Sequence, residues 1–121
     1  YQDVVKLMRG SGDIDSFYRL FMVPGMGHCA GGPGANAFGQ YGATPGLRND
    51  SEYNVYRALE AWVEHGIAPE KIIATKYVDD KPEKGVSFTR PLCVFPKLPI
   101  YKGRGDISQA QNFKCKTGII P

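Results

Sequence analysis

The side chains best suited to chemistry lie next to each other, at His28 and Cys29. Glycines and prolines dominate residues 25–34 around this pair, and such small residues leave the imidazole uncovered. Residues 17–23, just upstream, are rich in aromatic, aliphatic and β-branched side chains. That composition predicts a buried strand, and Pro24 ends it because a proline cannot donate a hydrogen bond to a strand ladder.

A histidine just beyond a buried strand is suited to act as a general base, because the rigid strand fixes the loop that carries it. α/β hydrolases carry their catalytic histidine on a loop of this kind. On position alone, a loop histidine without a chemical role is an equally good interpretation of His28. A thiol nucleophile at Cys29 is disfavoured, because we expect His28 to point away from it in an extended loop.

One run around the histidine carries a family resemblance. Residues 23–34 read Val-Pro-Gly-Met-Gly-His-Cys-Ala-Gly-Gly-Pro-Gly. They resemble the catalytic-histidine segment of the tannase and feruloyl esterase family, whose members pair a Cys-Ser nucleophile with a His-Cys base. The resemblance implies that His28 is the catalytic base and that Cys29 forms a disulfide bond with the cysteine before the serine. It extends in register over four further segments, residues 62–76, 90–93, 101–106 and 112–115.

The resemblance implies an α/β fold in which residues 1–121 form the C-terminal segment of an α/β-hydrolase catalytic domain, incomplete on its own. The nucleophile-bearing part and the lid that shapes substrate choice would lie outside this chain. The sequence agrees, because it contains no Cys-Ser pair and no Gly-x-Ser-x-Gly elbow. Asp13 and Asp15 are predicted to be turn or cap residues rather than the acid that orients His28.

The implied activity is that of a secreted serine carboxylic-ester hydrolase acting on esters of an aromatic acid, a hydroxycinnamate or a gallate. In that mechanism His28 takes the serine proton, returns it to the leaving alcohol and then activates water. The implied partner is the N-terminal part of the same enzyme, linked through Cys29, and we expect this chain alone to be inactive. No cofactor is implied, and His28, Cys29 and His65 match no recognised metal-ligand spacing.

Composition and charge narrow the possible partners and compartments. The chain has 121 residues, enough for one domain, and its 15 basic and 12 acidic residues are scattered along it. We therefore expect no nucleic-acid arm, and no apolar run approaches the ~20 residues of a membrane span. Three cysteines and the acceptor triplet Asn49-Asp50-Ser51 favour an extracellular protein that is glycosylated at Asn49.

Two stretches flank the histidine segment. The apolar spacing over residues 1–10 predicts a short amphipathic helix, which the glycines of residues 10–12 end. Residues 30–50 lack periodicity and predict a long loop that borders the active site. Phe38 and Tyr41 on this loop are candidates to line a pocket for an aromatic acyl group. Their alternative role is to anchor the loop.

The middle of the chain predicts a second helix. Ser51 or Asp50 looks like its N-cap, and the helix runs to about His65 with Gly66 as its C-terminal stop. The apolar face of this helix places Trp62 in the core. His65 lies in the last turn, where it would interact with the negative end of the helix rather than act as a second base.

A hairpin and a stapled tail follow the second helix. Residues 72–78 and 86–90 predict two strands joined by an exposed, charged turn. After that, the prolines of residues 91–121 predict an extended, loop-rich arm without regular structure. A disulfide bond between Cys93 and Cys115 would staple this arm and stabilise it by roughly 3–4 kcal/mol in the chain-entropy estimate.

One motif in the tail supports a different function. Arg104-Gly105-Asp106 lies inside the loop that Cys93 and Cys115 would close. It has the sequence of an integrin-recognition tripeptide, displayed here on a disulfide loop. The alternative to the esterase interpretation is therefore an extracellular binding module that presents this tripeptide. Three residues match by chance often enough that the esterase remains the stronger prediction.

Overall fold

The computed structural model describes residues 1–8, 13–42 and 44–118, which form a small mixed arrangement of helix and sheet. Two α-helices, two antiparallel strand pairs and short 3₁₀ turns follow one another along the chain. Their bounds are α1 Gln2–Leu7, α2 Val55–His65, β1 Lys71–Tyr77, β2 Val86–Cys93, β3 Lys97–Tyr101 and β4 Phe113–Thr117. In these three described ranges, no helix is long and apolar enough to cross a membrane.

The predicted hairpin is confirmed and lies at the centre of the structure. β1 pairs with β2 in antiparallel register, from Lys71 opposite Cys93 to Tyr77 opposite Val86. Residues 72–75, in the middle of β1, are all buried. Successive side chains of a strand point to opposite faces, so both faces of β1 are covered here. The charged turn that joins the strands is largely exposed, as predicted.

The other edge of β1 receives the long loop that follows the histidine. The Ala37 N–H donates to the Thr75 carbonyl oxygen (3.0 Å), and the Thr75 N–H donates to the Ala37 carbonyl oxygen (2.8 Å). Residues 30–50 are otherwise without helix or strand where the structure describes them, which confirms the loop prediction. The loop also supplies one residue to a small core, which consists of Ala35, Ala58, Ile72, Ala74 and Leu92.

Helix α2 begins later than predicted. Its N-cap is Asn54, whose side chain accepts hydrogen bonds from two backbone N–H groups of the first turn. Asp50 instead accepts two backbone N–H groups in the turn that precedes the helix. The prediction of Asp50 or Ser51 as the N-cap is therefore wrong, because two good capping residues lie close together and the later one begins the helix. The predicted end is confirmed, since Gly66 is left-handed with a φ of 69°.

One side of α2 is apolar and largely uncovered within the described chain. Leu59 and Val63 are 52% and 77% exposed, whereas Ala58 is buried against the core. Trp62 is half-buried with the Arg19 guanidinium 5.4 Å from its ring centre, so the prediction that it belongs to the core is wrong. An apolar groove of about 380 Å³, here called the α2 groove, lies along this side of α2. The residues that line it include Phe21, Val55, Leu59, Trp62, Pro69 and Ile72.

The predicted buried strand over residues 17–23 is wrong. Phe21 forms an isolated bridge with Val94, and no further strand pairing involves this segment in the part of the chain described. Phe17 and Met22 are 59% and 57% exposed. A strand is defined by a partner on at least one edge, and this segment finds such a partner at a single position.

The tail is more regular than predicted. β2 continues to Cys93, and β3 and β4 form an antiparallel pair in which Pro99 lies opposite Cys115. Proline is tolerated here because each strand of a two-stranded pair keeps one edge outside the ladder. The predicted disulfide bond between Cys93 and Cys115 is present, with their Cα atoms 5.6 Å apart. Residues 97–117, here called the ribbon, therefore replace the unstructured arm predicted over residues 91–121.

Helix α1 confirms the first predicted helix in a shorter form. It covers Gln2–Leu7, and the predicted stop at residues 10–12 lies outside the described residues. The ring of Tyr1 at its start packs edge-on against Phe95, with the ring centres 5.8 Å apart. The N-terminal segment is thereby joined to the turn between β2 and β3.

Candidate functional site

His28 and Cys29 are exposed on a tightly folded loop, residues 25–34, here called the histidine loop. Two backbone hydrogen bonds between glycines close this loop. In the inner one the Gly27 N–H donates to the Gly31 carbonyl oxygen at 3.0 Å, and in the outer one the Gly34 N–H donates to the Gly25 carbonyl oxygen at 2.9 Å. The inner bond encloses the histidine and the cysteine. The loop is therefore held in shape by its own backbone, which leaves both side chains available for chemistry.

Two glycines make this closure possible. Gly32 has a φ of 87°, a region that favours glycine, and a Cβ there would overlap the Gly25 carbonyl oxygen. A Cβ on Gly34 would likewise overlap the Pro24 carbonyl oxygen. The sequence suggested only that these glycines leave the imidazole uncovered, but they have a second effect. They let two stretches of backbone approach each other closely.

Cys29 lies against the histidine that precedes it. Its Sγ is 3.3 Å from Nδ1 of His28, and its own φ is 66°. The prediction that His28 points away from Cys29 in an extended loop is therefore wrong, because the left-handed turn at Cys29 brings the two side chains to the same side. Cys29 forms no disulfide bond within the described chain.

The two pocket candidates make contacts typical of loop anchors. The Tyr41 hydroxyl donates to the Cys29 carbonyl oxygen at 2.7 Å, although the residue is 65% exposed. Phe38 is half-buried and packs against the core. Gln40 lies between them and donates to the Asn36 carbonyl oxygen at 2.6 Å. These contacts support the anchoring alternative, and a role in lining an acyl pocket stays a prediction.

Asp13 and Asp15, which precede the histidine loop in the sequence, are engaged in local contacts. Asp13 Oδ1 accepts the Asp15 N–H at 3.0 Å and caps a 3₁₀ turn. Asp15 accepts the Tyr1 hydroxyl at 3.2 Å. The prediction that both are turn or cap residues is confirmed. Across the described ranges, no group of three His, Cys, Asp or Glu side chains is placed to hold a metal ion.

A polar cluster that sequence reasoning missed connects the histidine loop to β1. Lys76 Nζ donates to the Gly32 carbonyl oxygen at 2.6 Å and forms an ion pair with Asp80. Asp80 Oδ1 also accepts a hydrogen bond from Asn36 Nδ2 at 2.8 Å. The hydrogen bonds from Lys76 and Asn36 hold the pKa of the Asp80 carboxyl below its usual value. We call Lys76, Asp80 and Asn36 the tether.

The predicted glycosylation site, Asn49, and the second histidine, His65, lie toward opposite ends of α2. Asn49 is exposed before the helix, and its Oδ1 accepts hydrogen bonds from Arg57 Nε and Asn54 Nδ2, both at 3.2 Å. His65 is exposed in the last turn of the helix, where its Nε2 is 4.0 Å from a Glu64 carboxylate oxygen. His65 thus lies at the helix end that the sequence predicted.

The Arg104-Gly105-Asp106 tripeptide is exposed in the ribbon, where its aspartate has a local structural role. The Asp106 carboxylate accepts the Ser108 N–H (2.8 Å) and the Ser108 hydroxyl (2.7 Å). These hydrogen bonds lower the pKa of Asp106. The Tyr101 hydroxyl donates to the Gly105 carbonyl oxygen at 2.5 Å. The tripeptide is therefore part of a hydrogen-bonded turn.

Sequence comparisons relate nearly the whole chain to one group of enzymes. A family profile described as "Tannase and feruloyl esterase" matches residues 1–116. An uncharacterized esterase of Xanthomonas campestris pv. campestris is 56% identical over 99 residues, and a probable feruloyl esterase B-2 of Aspergillus flavus is 53% identical over 88 residues. These alignments cover 82% and 70% of this chain but 17% of each relative, so the chain spans less than a fifth of their length.

Solved structures give the same picture. Feruloyl esterase B from Aspergillus oryzae is similar with a TM-score of 0.78 and 34% sequence identity, over 96% of this chain and 22% of that protein. A second esterase from Aspergillus oryzae gives a TM-score of 0.82 at the same identity and covers 23% of that protein. The names of these relatives describe esterases, and none supports the alternative of an adhesive binding module.

Proposed function

Since the chain belongs to the tannase and feruloyl esterase family, we propose that residues 1–121 form the C-terminal, histidine-bearing part of an α/β-hydrolase domain in a serine carboxylic-ester hydrolase. The observation that carries this proposal is the histidine loop, which presents the exposed His28 on a tightly folded backbone. The nucleophilic serine, the orienting acid, the oxyanion hole and the lid belong to the remainder of the enzyme.

His28 acts as the general base in this mechanism. It takes the proton of the serine hydroxyl as the serine attacks the ester carbonyl, and then returns that proton to the leaving alcohol. In the second half of the cycle it activates the water that releases the acid. The exposed imidazole supports this role, because a base has to reach both the serine and the water.

Cys29 forms a disulfide bond with the cysteine that precedes the nucleophilic serine. Its exposure and its freedom from any bond within the described chain support this assignment. The contact between Cys29 Sγ and His28 Nδ1, 3.3 Å apart, supports a bond directly beside the base. A disulfide here would fix nucleophile and base relative to each other. It would also link this chain covalently to the N-terminal part of the enzyme.

The rest of the domain covers the α2 groove. The apolar lining of the groove and the exposure of Leu59 and Val63 support this placement, because monomeric proteins rarely leave large contiguous apolar surfaces in water. The relatives contain enough further residues to cover the groove, since this chain accounts for about a fifth of their length. On this view residues 1–121 are one part of a larger folding unit, inactive on their own.

The substrate is an ester of an aromatic acid, a hydroxycinnamate such as ferulate or a gallate. The names of the similar proteins support the first choice, and the family description supports both. The contact of the Tyr41 hydroxyl with the Cys29 carbonyl oxygen supports a place for Tyr41 beside the acyl pocket, and Phe38 on the same loop is the second candidate. The enzyme is secreted, and the exposed Asn49 is glycosylated at its acceptor triplet.

Replacing His28 by alanine in the complete enzyme tests the assignment. We expect turnover of a ferulate methyl ester to fall by at least ~10³-fold, because the serine loses its base, while the circular dichroism spectrum stays unchanged. The matched control is His65→Ala, which removes the other histidine and should leave turnover within roughly twofold. Near-normal turnover by the His28 variant would overturn the proposal.

Peptide mapping without reductant tests the disulfide bond independently of activity. The peptide that contains Cys29 should be joined to a peptide with a Cys-Ser sequence, and reduction should separate the two. The bond between Cys93 and Cys115 serves as an internal control within the same digest. Alkylation of Cys29 in the unreduced, native enzyme would show that its thiol is unpaired and would contradict the assignment.

A further inference from the structure

Two of the three residues of the tether are largely inaccessible to solvent. The Lys76 side chain is 13% exposed and Asn36 is 7% exposed, whereas the Asp80 side chain is 42% exposed. A lysine ammonium in such a place needs acceptors, because an unpaired buried charge is strongly unfavourable. The Gly32 carbonyl oxygen and the Asp80 carboxylate supply them. Contacts of this kind are screened less by salt than those of surface lysines.

Few contacts fix the histidine loop from outside. Tyr41 and Gln40 reach the Cys29 carbonyl oxygen, but both belong to the long loop that continues from it. Lys76 is different, because it lies on β1, whose central residues are buried and hydrogen-bonded on both edges. Among the described residues, it makes the hydrogen bond that joins the histidine loop directly to a strand.

We propose that Lys76, held by Asp80 and Asn36, is a positioning residue that fixes the histidine loop against β1 and so keeps His28 aligned with the nucleophile. This inference rests on the proposed role of His28. Lys76 acts through the backbone of Gly32, three residues beyond Cys29, and contacts no reacting atom. Loss of this contact lets the loop shift, and a displacement of about 1 Å at a catalytic group lowers the rate by ~10²-fold.

The same hairpin contains a matched control. Lys84 Nζ forms an ion pair with Asp79 at 2.6 Å, and the two side chains are 46% and 65% exposed. This second lysine–aspartate pair lies in the same turn as Asp80, but it contacts no residue of the histidine loop in the part of the chain described. A variant without this ion pair therefore shows how much kcat changes when an ion pair of this turn is lost without any change at the histidine loop.

The experiment compares Lys76→Met with Lys84→Met in the complete esterase, using a ferulate methyl ester. We expect K76M to lower kcat by ~10- to 100-fold with KM within about twofold, because alignment is lost and substrate contacts are not. K84M should leave kcat within roughly twofold. Lys76→Arg should restore most of the kcat lost in K76M, since a guanidinium donates to the same carbonyl and carboxylate.

Equal kcat values for K76M and K84M, or a rise in KM alone, would overturn the inference. Asp80→Asn provides a second variant that keeps the side-chain shape and should fold even if K76M does not. A kcat unchanged by D80N would count against the tether as well. His28→Ala separates the two proposals: if H28A stays active, the proposed function fails, whereas an inactive H28A with K76M equal to K84M overturns only the role of Lys76.

Discussion

The histidine loop and the ribbon are both exposed segments attached to the β1–β2 hairpin, and each is held in one conformation by different contacts. The ribbon uses its strand ladder, a disulfide bond to Cys93 and side chains of β2. The Arg90 guanidinium is 4.5 Å from the ring centre of Phe113, and Thr89 Oγ1 accepts the Ala110 N–H at 2.8 Å. The ribbon therefore adds side-chain contacts and a covalent bond to its backbone pairing.

The histidine loop is ordered almost without side chains of its own. Two backbone hydrogen bonds close it, glycines permit the close approach, and Lys76 ties its backbone to β1. This arrangement leaves the imidazole of His28 and the thiol of Cys29 unburied. The comparison shows that a loop can be ordered while its side chains stay exposed, because backbone contacts and a neighbouring strand supply the order.

The largest expected effect comes from removing the covalent bond of the ribbon. The double variant Cys93→Ala, Cys115→Ala should lose about 3–4 kcal/mol of unfolding free energy, because the bond closes a loop with a sequence separation of 22. Urea unfolding of the complete enzyme measures this loss. Under conditions where the variant is folded, kcat should stay within about twofold of wild type, since among the described residues the His28 side chain is hydrogen-bonded to Cys29 and not to the ribbon.

Thr117→Ala, an exposed change at the end of β4, is the control and should cost at most about 0.5 kcal/mol. If the double cysteine variant kept its stability but lost turnover, the ribbon would be holding the active site. The contrast between the two regions would then be wrong.

A smaller effect is expected from matched glycine changes in the two regions. Gly32→Ala and Gly103→Ala each place a side chain at a positive φ, 87° and 78°, which costs about 1–2 kcal/mol. A Cβ at Gly103 meets nothing within 4 Å, whereas a Cβ at Gly32 would overlap a backbone oxygen. We therefore expect only G32A to deform its loop and to lower kcat/KM, by ~10²-fold.

Thermal unfolding of the two glycine variants measures the backbone strain at each position, and steady-state kinetics measure whether His28 stays aligned. Both variants should lose some stability, and G103A should keep wild-type kinetics. Equal kinetics for G32A and G103A would mean that the shape of the histidine loop is unimportant for the reaction. The histidine loop would then not depend on close backbone contacts for its function.

The sequence predicted well those elements whose signal is local. The apolar spacing of α2 and its stop at Gly66 lie within one segment, and so do the strand-forming residues of β1 and β2 with the charged turn between them. The disulfide bond between Cys93 and Cys115 was also predicted correctly. In each case, the residues that determine the structure are close in the sequence or are chemically distinctive.

The sequence failed where structure depends on a distant partner. Residues 17–23 have the composition of a strand, but strand pairing requires a neighbour that no local pattern reveals. Strand β3 of the ribbon contains Pro99, and a proline indicates an irregular arm unless the pairing of its strand is known. Lys76 lies 44 residues from Gly32, so nothing near either residue indicated the contact that ties the histidine loop to β1.

The smallest expected effect concerns Glu70, which connects the two regions. Its carboxylate accepts hydrogen bonds from Lys97, the first residue of β3, at 3.0 Å and from Arg19, in the segment leading to the histidine loop, at 2.8 Å. These hydrogen bonds lower the pKa of Glu70 below its ordinary value of 4.5. Its side chain is 62% exposed, so solvent screening limits the stabilisation to a fraction of a kcal/mol, within the ~0.2–1 kcal/mol measured for surface pairs.

Linkage gives this stabilisation a definite pH dependence. Because the folded-state pKa of Glu70 is lowered, its contribution is fully present above the unfolded-state pKa and is lost as the pH falls through the folded-state pKa. Urea unfolding should therefore show Glu70→Gln less stable than wild type at about pH 7, with the difference shrinking toward about pH 3. Glu83→Gln, in the exposed turn, should show no such difference. A Glu70 effect that is independent of pH would mean that the side chain joins the regions by packing rather than by charge.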